Sequence, residues 1–349
     1  MATLYLIEQN SILRKRGNRL LVCKRPPASR RYSAVLQKDI IRDLPAADVD
    51  HVMLFGNIQV TTSALHLLLE KGIELAIFKY GGELLGQLTP PMGKNIPLRI
   101  RQFECYRDPE FILGFSRDIV SAKIKNALEF LRQFHWNHPE AFEMKELNIL
   151  EEMVEKAKQV TDLDNLLGIE GAAAAHYFKL YGTVIRPPWQ FTGRSKRPPR
   201  DPVNAVLSFG YVIVCSQLQM LLDGMGLDPY LGFYHQVDYG RPGLALDLLE
   251  EFRHPLIDRL TATLFNKGVF EQSDFYHPIS TAKHGERAVY LNTSGKRKFF
   301  LHYENALNEI TPDVKTGDGF FPIFQCQVNN LIHAIQNNSP YAPYVIANS

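Results

Sequence analysis

A break near residue 90 divides the sequence into two parts with different patterns. Short apolar runs bounded by glycine and asparagine fill residues 1 to about 90, which is the pattern of strands and hairpins. The stretch 89–97 contains three prolines and a glycine, and so it interrupts regular structure. Beyond it, apolar residues recur at helical spacing, as in the run from Asp118 to Phe134. These patterns predict an α+β protein with two domains.

The boundaries follow from the same patterns. We expect a small β-rich, β-sandwich-like N-terminal domain at residues 1–90, a linker at 91–97 and a larger all-α C-terminal domain at 98–349. One helix, Thr62 to Lys71, interrupts the strands and is closed by Gly72. In the second domain one strand-like run, 288–292, interrupts the helices. Further helices are expected at 146–160, 166–180, from 244, at 255–266, 300–309 and 324–336.

Composition limits the class of protein. The chain has 349 residues and a net charge of +2, so any nucleic-acid binding must come from local clusters of charge. Its four cysteines form no CxxC pair, which argues against zinc knuckles or a disulfide framework and favours a reducing cytoplasm. The apolar segment 202–222 carries several amides and hydroxyls, so we expect a buried helix and no membrane association.

Three acids and one histidine stand out because they lie among apolar or small residues. They are Glu170, His235, Asp247 and Glu250. A carboxylate in such surroundings needs a cation or donor to offset its burial. Each has an ordinary alternative: Asp247 and Glu250 share one helix face and could face solvent beside Arg253, and Glu170 could complement a helix dipole. His235 could be a packed or hydrogen-bonded side chain. If the four converge, oxygen-rich coordination with one imidazole suits Mg²⁺ or Mn²⁺ better than zinc.

A basic segment lies between Glu170 and His235. Two aromatic residues, Trp189 and Phe191, are interleaved with its cations. Guanidinium and ammonium groups position phosphates, and aromatic rings stack on exposed bases, so the segment is a candidate DNA contact; the alternative is a solvated loop. A second basic cluster lies within residues 14–31. The cations of the candidate DNA-binding segment are Arg186, Arg194, Lys196, Arg197 and Arg200.

Four stretches together resemble the CRISPR-associated protein one family, the integrase of CRISPR adaptation. The first, with the downstream Lys71-Gly72-Ile73, resembles that family's β-rich domain. The second resembles its most distinctive motif, and the last two resemble its metal-binding region. In order, the stretches are Met53 to Thr62, Asp201 to Tyr211, Asp228 to His235 and Leu246 to Arg253.

The resemblance implies metal ligands at Glu170, His235 and an acid of the helix at 247–250. Many family members carry aspartate at both helix positions, whereas this chain has Glu250 at the second. We favour Glu250 as the direct ligand, with Asp247 as a second ligand or as a residue behind the ligands. Asn204 and Tyr211 match the distinctive motif and are expected to support the site.

The resemblance also implies a reaction and partners. The expected activity is metal-dependent transesterification, in which a 3′-hydroxyl of a short double-stranded spacer DNA attacks a phosphodiester of the CRISPR repeat. The N-terminal domain is expected to serve dimerisation and DNA-backbone contact, and two homodimers are expected to be bridged by CRISPR-associated protein two. Two alternatives stay open: a stand-alone, structure-selective metal-dependent DNA nuclease, and a catalytically silent DNA-binding scaffold.

Overall fold

The computed structural model describes residues 3–24, 39–89, 95–196, 198–278, 288–308 and 319–346. The chain divides into two compact units, Met1–Met92 and Gly93–Ser349. Strands make up most of the first unit and helices most of the second, so the mixed α+β class predicted from the sequence is confirmed.

The first unit contains two four-stranded sheets. The elements are β1 (Thr3–Leu6), β2 (Ser11–Arg16), β3 (Arg19–Lys24), β4 (Ile40–Pro45), β5 (His51–Phe55), β6 (Gln59–Val60), α1 (Thr62–Glu70), β7 (Glu74–Phe78) and β8 (Leu84–Leu88). One sheet has the order β1-β5-β7-β8, with β8 antiparallel to its neighbour, and the other has the order β4-β3-β2-β6. Apolar side chains of both sheets and of α1 share one core, which includes Leu13, Val22, Leu54, Leu68 and Leu75.

Long helices form the second unit. They are α2 (Ile96–Tyr106), α3 (Pro109–Asn137), α4 (Lys145–Gln159), α5 (Leu163–Val184), α6 (Pro202–Gly224), α7 (Gly243–Phe252), α8 (Arg259–Asn266), α9 (Thr293–Asn308) and α10 (Phe320–Asn337). Helix α3 packs against α4, α5 and α7. Two of these helices, α5 and α7, carry the predicted site acids Glu170, Asp247 and Glu250.

Two expectations about this unit need correction. Residues 90–94 lie outside the described residues, but α2 begins at Ile96, within the segment expected to be an irregular linker. The Asn95 side chain caps this helix and Pro97 lies in its first turn, where a missing N–H costs nothing. The unit is also not purely α-helical, because β9 (Phe275–Tyr276) pairs antiparallel with β10 (Tyr290–Leu291).

Helix α6 is the apolar segment noted in the sequence. It is long and apolar enough to cross a membrane, but 83% of its most apolar window is buried inside the protein. It packs against α7, the helix that carries Asp247 and Glu250. Its burial is that of a core helix, as predicted.

Candidate active site

Two of the predicted site acids meet on one buried ammonium group. Glu170 lies on α5 and Glu250 on α7, and Lys123 reaches both of them from α3. The Lys123 Nζ lies 2.7 Å from Glu250 Oε2 and also forms an ion pair with Glu170 Oε1. Carboxylates 80 positions apart in the sequence are therefore brought to a common point by three helices.

His235 is fixed beside this pair by Asp247. The His235 Nδ1 lies 2.7 Å from Asp247 Oδ1, and a carboxylate can only accept a hydrogen bond, so Nδ1 carries the proton. The neutral ring then keeps its lone pair on Nε2, which lies 3.7 Å from Glu250 Oε1. A histidine oriented in this way by a carboxylate is a common arrangement at metal centres.

The Asp247 carboxylate accepts hydrogen bonds from several donors. Besides the ring of His235, its carboxylate accepts hydrogen bonds from the backbone N–H groups of Phe233, Tyr234 and His235, at 2.7, 3.1 and 2.8 Å. The side chain is completely buried. The alternative of a solvent-facing acid pair is therefore wrong for Asp247 and for Glu250, which is also buried.

Two glycines allow the loop that carries His235 to reach the start of α7. A Cβ on Gly232 would lie 2.5 Å from the backbone carbon of Gly243, and one on Gly243 would lie 3.0 Å from the Gly232 nitrogen. Any side chain at Gly232 would push the loop away from α7. This close approach of the loop backbone to α7 allows His235 to contact Asp247.

Glu250 is held in its charged form by neighbouring cations. Its Oε1 lies 2.9 Å from Arg253 Nη2. Burial alone would raise the pKa of the Glu250 carboxyl, but the charges of Arg253 and Lys123 outweigh burial and lower that pKa to about 2. The acid therefore remains an anion over the whole physiological pH range.

A buried network behind Glu250 fixes Arg253. Helices α7 and α8 are continuous through a π-helical segment, Arg253–Asp258, which accommodates Pro255 and its missing N–H. The buried Asp258 carboxylate accepts hydrogen bonds from the hydroxyls of Tyr177 and Tyr211, at 2.9 and 2.5 Å. The Arg253 guanidinium lies 4.8 Å from the centre of the Tyr211 ring. Tyr211 therefore contacts Arg253, the ion-pair partner of Glu250, and its supporting role stays a prediction.

Asn204 ties the basic segment to the N-terminus of α6. Its Oδ1 accepts hydrogen bonds from the Ser195 N–H at 2.9 Å and from Arg194 Nη1 at 2.6 Å, and its Nδ2 donates to the Gly193 carbonyl at 2.8 Å. Asp201 caps the same helix. Asn204 is completely buried, so its role is to hold this loop in place.

The predicted DNA-binding cations have different surroundings. Arg194 is directed inward, to Asn204, to Ser208 and over the Tyr211 ring, whereas Lys196 and Arg200 are exposed. Although Lys196 is exposed as a residue, partial desolvation of its ammonium group and the charges of Arg253 and Lys123 lower its pKa. Arg197 lies outside the described residues.

Arg186 lies elsewhere. Helix α5 continues 14 positions beyond Glu170 to Val184, which at about 1.5 Å per residue is roughly 21 Å, and Arg186 lies two residues past that end. Its guanidinium contacts the His138 ring at 2.7 Å. The structure therefore does not bring Arg186 to the group of Glu170, His235 and Glu250.

The two residues after Glu170 on α5 are small and exposed. A Cβ on Gly171 would meet no atom within 4 Å, and Ala172 is exposed. The Glu170 side chain is itself 21% exposed, so its carboxylate is partly accessible to solvent.

Glu170, Glu250 and His235 are the side chains that could hold a divalent ion. Two carboxylates and a neutral imidazole nitrogen match the preferences of Mg²⁺ or Mn²⁺. Within the described ranges, no three acidic, histidine or cysteine side chains form a closed cluster. The Lys123 ammonium, a monovalent cation, contacts both carboxylates.

The sequence did not identify Lys123, Tyr234 or Asp258 as site residues. Lys123 was detectable, because it lies four positions after Ile119 and so falls on the apolar stripe of α3. Tyr234 is buried, and within the part of the chain that the structure describes its hydroxyl has no hydrogen-bond partner. Asp258 carries no comparable sequence signal, since its tyrosine partners are about 50 and 80 positions away.

One family of known proteins is similar to this chain over most of its length. A family profile described as CRISPR associated protein Cas1 matches residues 4–305. CRISPR-associated endonuclease Cas1 3 of Thermus thermophilus is 34% identical over 309 residues, which cover 88% of this chain and 86% of that protein. Cas1 1 of the same organism is 30% identical over 346 residues and covers 99% of both chains.

Solved structures share the fold. A casposase bound to integration product aligns with a TM-score of 0.84 at 20% identity, over 98% of this chain and 93% of that chain. A chain of the Cas6-RT-Cas1–Cas2 complex aligns with a TM-score of 0.79 at 25% identity, over 100% of this chain and 36% of that chain.

Proposed function

The chain belongs to the CRISPR-associated Cas1 family, and on that premise we propose that it is a divalent-metal-dependent DNA integrase and endonuclease of CRISPR adaptation. Its proposed reaction joins the 3′-hydroxyl ends of a spacer fragment to the CRISPR repeat by transesterification. The proposed metal is Mg²⁺ or Mn²⁺.

One observation carries this proposal. Glu170 and Glu250 converge on one buried cation beside His235, whose protonated Nδ1 leaves Nε2 available as a ligand. We assign these three side chains as the metal ligands and Asp247 as the residue that orients His235. The saturated hydrogen bonding of Asp247 supports this division of roles.

The chemistry needs no covalent enzyme intermediate. The attacking 3′-oxygen forms a new P–O bond as the bond to the leaving 3′-oxygen of the repeat strand breaks, and the proton lost by the first oxygen is matched by one gained by the second. When bound, the divalent ion supplies charge that stabilises the transferring phosphoryl group. Glu170 and Glu250 hold that ion, and Arg253 keeps Glu250 in position.

The matched structures support DNA and CRISPR-associated protein two as partners. One matched structure is a Cas1–Cas2 complex with a Cas6-RT-Cas1 chain, and another is a casposase bound to its integration product. We propose double-stranded spacer and repeat DNA, a second copy of this chain and CRISPR-associated protein two as partners. Lys196 and Arg200 are exposed cations of the basic segment, and we propose that these two contact phosphates. The N-terminal unit is proposed to serve dimerisation.

A strand-transfer assay tests the function. The chain and its Cas2-type partner are incubated with Mn²⁺, a labelled fragment with free 3′-hydroxyl ends and a supercoiled plasmid that carries a CRISPR repeat. Labelled fragment joined to the plasmid at the repeat is the expected product. Nicking without joining would indicate the stand-alone nuclease, and DNA binding without either product would indicate a silent scaffold.

Tyr234 gives a prediction about catalysis. Burial and then the nearby Glu170 and Glu250 raise the pKa of its phenol, which therefore stays protonated and can donate a hydrogen bond to a phosphate oxygen. We expect Tyr234→Phe to slow single-turnover strand transfer about 100-fold, the effect of losing one such donor. Thermal stability should be unchanged or slightly higher, because the lost hydroxyl has no hydrogen-bond partner among the described residues. An unchanged rate would remove Tyr234 from the mechanism.

The basic segment gives a prediction about binding. Removing both charges in the double variant Lys196→Gln/Arg200→Gln should weaken DNA binding and reduce the slope of log K against log salt by about two, one for each lost phosphate contact. Fluorescence anisotropy over a salt series measures this slope. The control is Lys158→Gln, an exposed lysine of α4 paired with Glu155. Equal slopes for wild type and double variant would show that these cations do not contact phosphates.

A further inference from the structure

The ammonium of Lys123 is the centre of the acidic group. The residue is 7% exposed and lies on the apolar stripe of α3, between the buried Ala122 and Ile124. Among the described residues, its charged contacts within 4 Å are Glu170 and Glu250. A lysine buried in such a position is costly unless its charge is paired, and here one ammonium is paired with two carboxylates.

The charges of this group balance without a metal. Glu170 and Glu250 contribute two negative charges, and Lys123 and Arg253 contribute two positive charges. A divalent ion placed on the same carboxylates would add two positive charges within a few ångströms of the ammonium. Like charges at that distance repel strongly in a buried site, so the ammonium and the ion compete for the carboxylates.

Lys123 and Arg253 differ in their freedom to move. Arg253 is fixed by the Tyr211 ring and by Glu250. Lys123 has a flexible four-carbon stem, and its ammonium has no fixed fork geometry. The lysine is therefore the cation that can withdraw when another cation arrives.

We propose that Lys123 is a built-in counter-cation, which holds Glu170 and Glu250 in place while no metal is bound and competes with the divalent ion for them. This inference rests on the proposed metal site. It makes Lys123 a positioning residue that sets the metal concentration at which the site fills. A purely structural ion pair would affect stability but would not oppose metal binding.

The test measures Mn²⁺ affinity of the full-length protein by isothermal titration calorimetry, with the Mn²⁺-dependent rise in melting temperature as a second readout. Lys123→Met removes the competing charge and should tighten Mn²⁺ binding at least tenfold. Lys123→Arg retains a permanent charge with a fork that binds carboxylates more firmly, and should weaken Mn²⁺ binding. Lys125→Met, the same substitution two positions away on α3, should leave the affinity unchanged.

The outcomes separate the two proposals. One outcome is that wild type binds Mn²⁺, that Glu250→Gln loses that binding, and that both Lys123 variants keep the wild-type affinity. In that case the proposed metal site stands and the counter-cation proposal is overturned. Weaker binding by Lys123→Met would also overturn it. If wild type binds no Mn²⁺ at millimolar concentration, both proposals fail. Should Lys123→Met not fold, the direction of the Lys123→Arg effect decides.

Discussion

Glu170→Gln is expected to reduce strand transfer by about a thousandfold or more. The substitution keeps the shape of the side chain and removes the negative charge that we assign to metal binding. Loss of a metal ligand removes several kcal/mol of stabilisation from the transferring phosphoryl group, and each 1.4 kcal/mol corresponds to about a factor of ten in rate. Single-turnover assays with labelled spacer DNA and saturating Mn²⁺ measure the effect.

The fold should tolerate this change. The Glu170 side chain is 21% exposed, and Lys123 retains its ion pair with Glu250 when Glu170 is neutral. The melting temperature should therefore shift by only a few degrees. Glu152→Gln, at an exposed acid of α4 paired with Lys156, is the matched control and should keep the wild-type rate. A Glu170→Gln protein that joins DNA at the normal rate would exclude Glu170 from the site.

Asp247→Ala is expected to cause the largest loss of stability, about 3–5 kcal/mol in the free energy of unfolding. The substitution leaves three buried backbone N–H groups without their acceptor and removes the partner of the His235 ring. An unsatisfied buried donor costs about 1–3 kcal/mol, and breaking a buried charged network costs about 3–5 kcal/mol. Urea denaturation followed by circular dichroism measures the loss.

Asp247→Asn separates the structural role from metal binding. The amide keeps one oxygen acceptor for the backbone N–H groups, so the loss of stability should be smaller than for Asp247→Ala. If Asp247 only orients His235, Asp247→Asn retains measurable Mn²⁺ binding, whereas Glu250→Gln does not. Equal loss of Mn²⁺ binding in the two variants would show instead that both acids are direct ligands. A stability loss below 1 kcal/mol for Asp247→Ala would contradict the hydrogen-bond network.

The sequence predicted those features that depend on local periodicity. Most strands of the first unit follow from short apolar runs bounded by turn residues. The helix that begins at Thr62 and most helices of the second unit follow from apolar residues at helical spacing. Helix α2 was missed because its first turn contains Pro97, which reads as a breaker although the first turn tolerates it. The short strand Phe275–Tyr276 was missed because two residues give no periodic signal.

The site was predictable in part for a similar reason. Glu170, His235, Asp247 and Glu250 could be singled out because charged groups in apolar stretches are unusual, and the spacing of Asp247 and Glu250 put both on one face. The different surroundings of Asp247 and Glu250 depend on long-range packing. The loop of His235 packs beside Asp247, and Lys123 of α3 contacts Glu250. No local pattern encodes that Lys123 lies 47 positions before Glu170 and contacts it.

The most direct test is the position of Mn²⁺ in a crystal of this protein, located by anomalous diffraction. We expect one strong peak within about 2.0–2.3 Å of ligand atoms of Glu170, Glu250 and His235 Nε2, with the Lys123 ammonium withdrawn from both carboxylates. A peak elsewhere in the molecule, or no peak at these residues in crystals of protein that joins DNA with Mn²⁺, would contradict it.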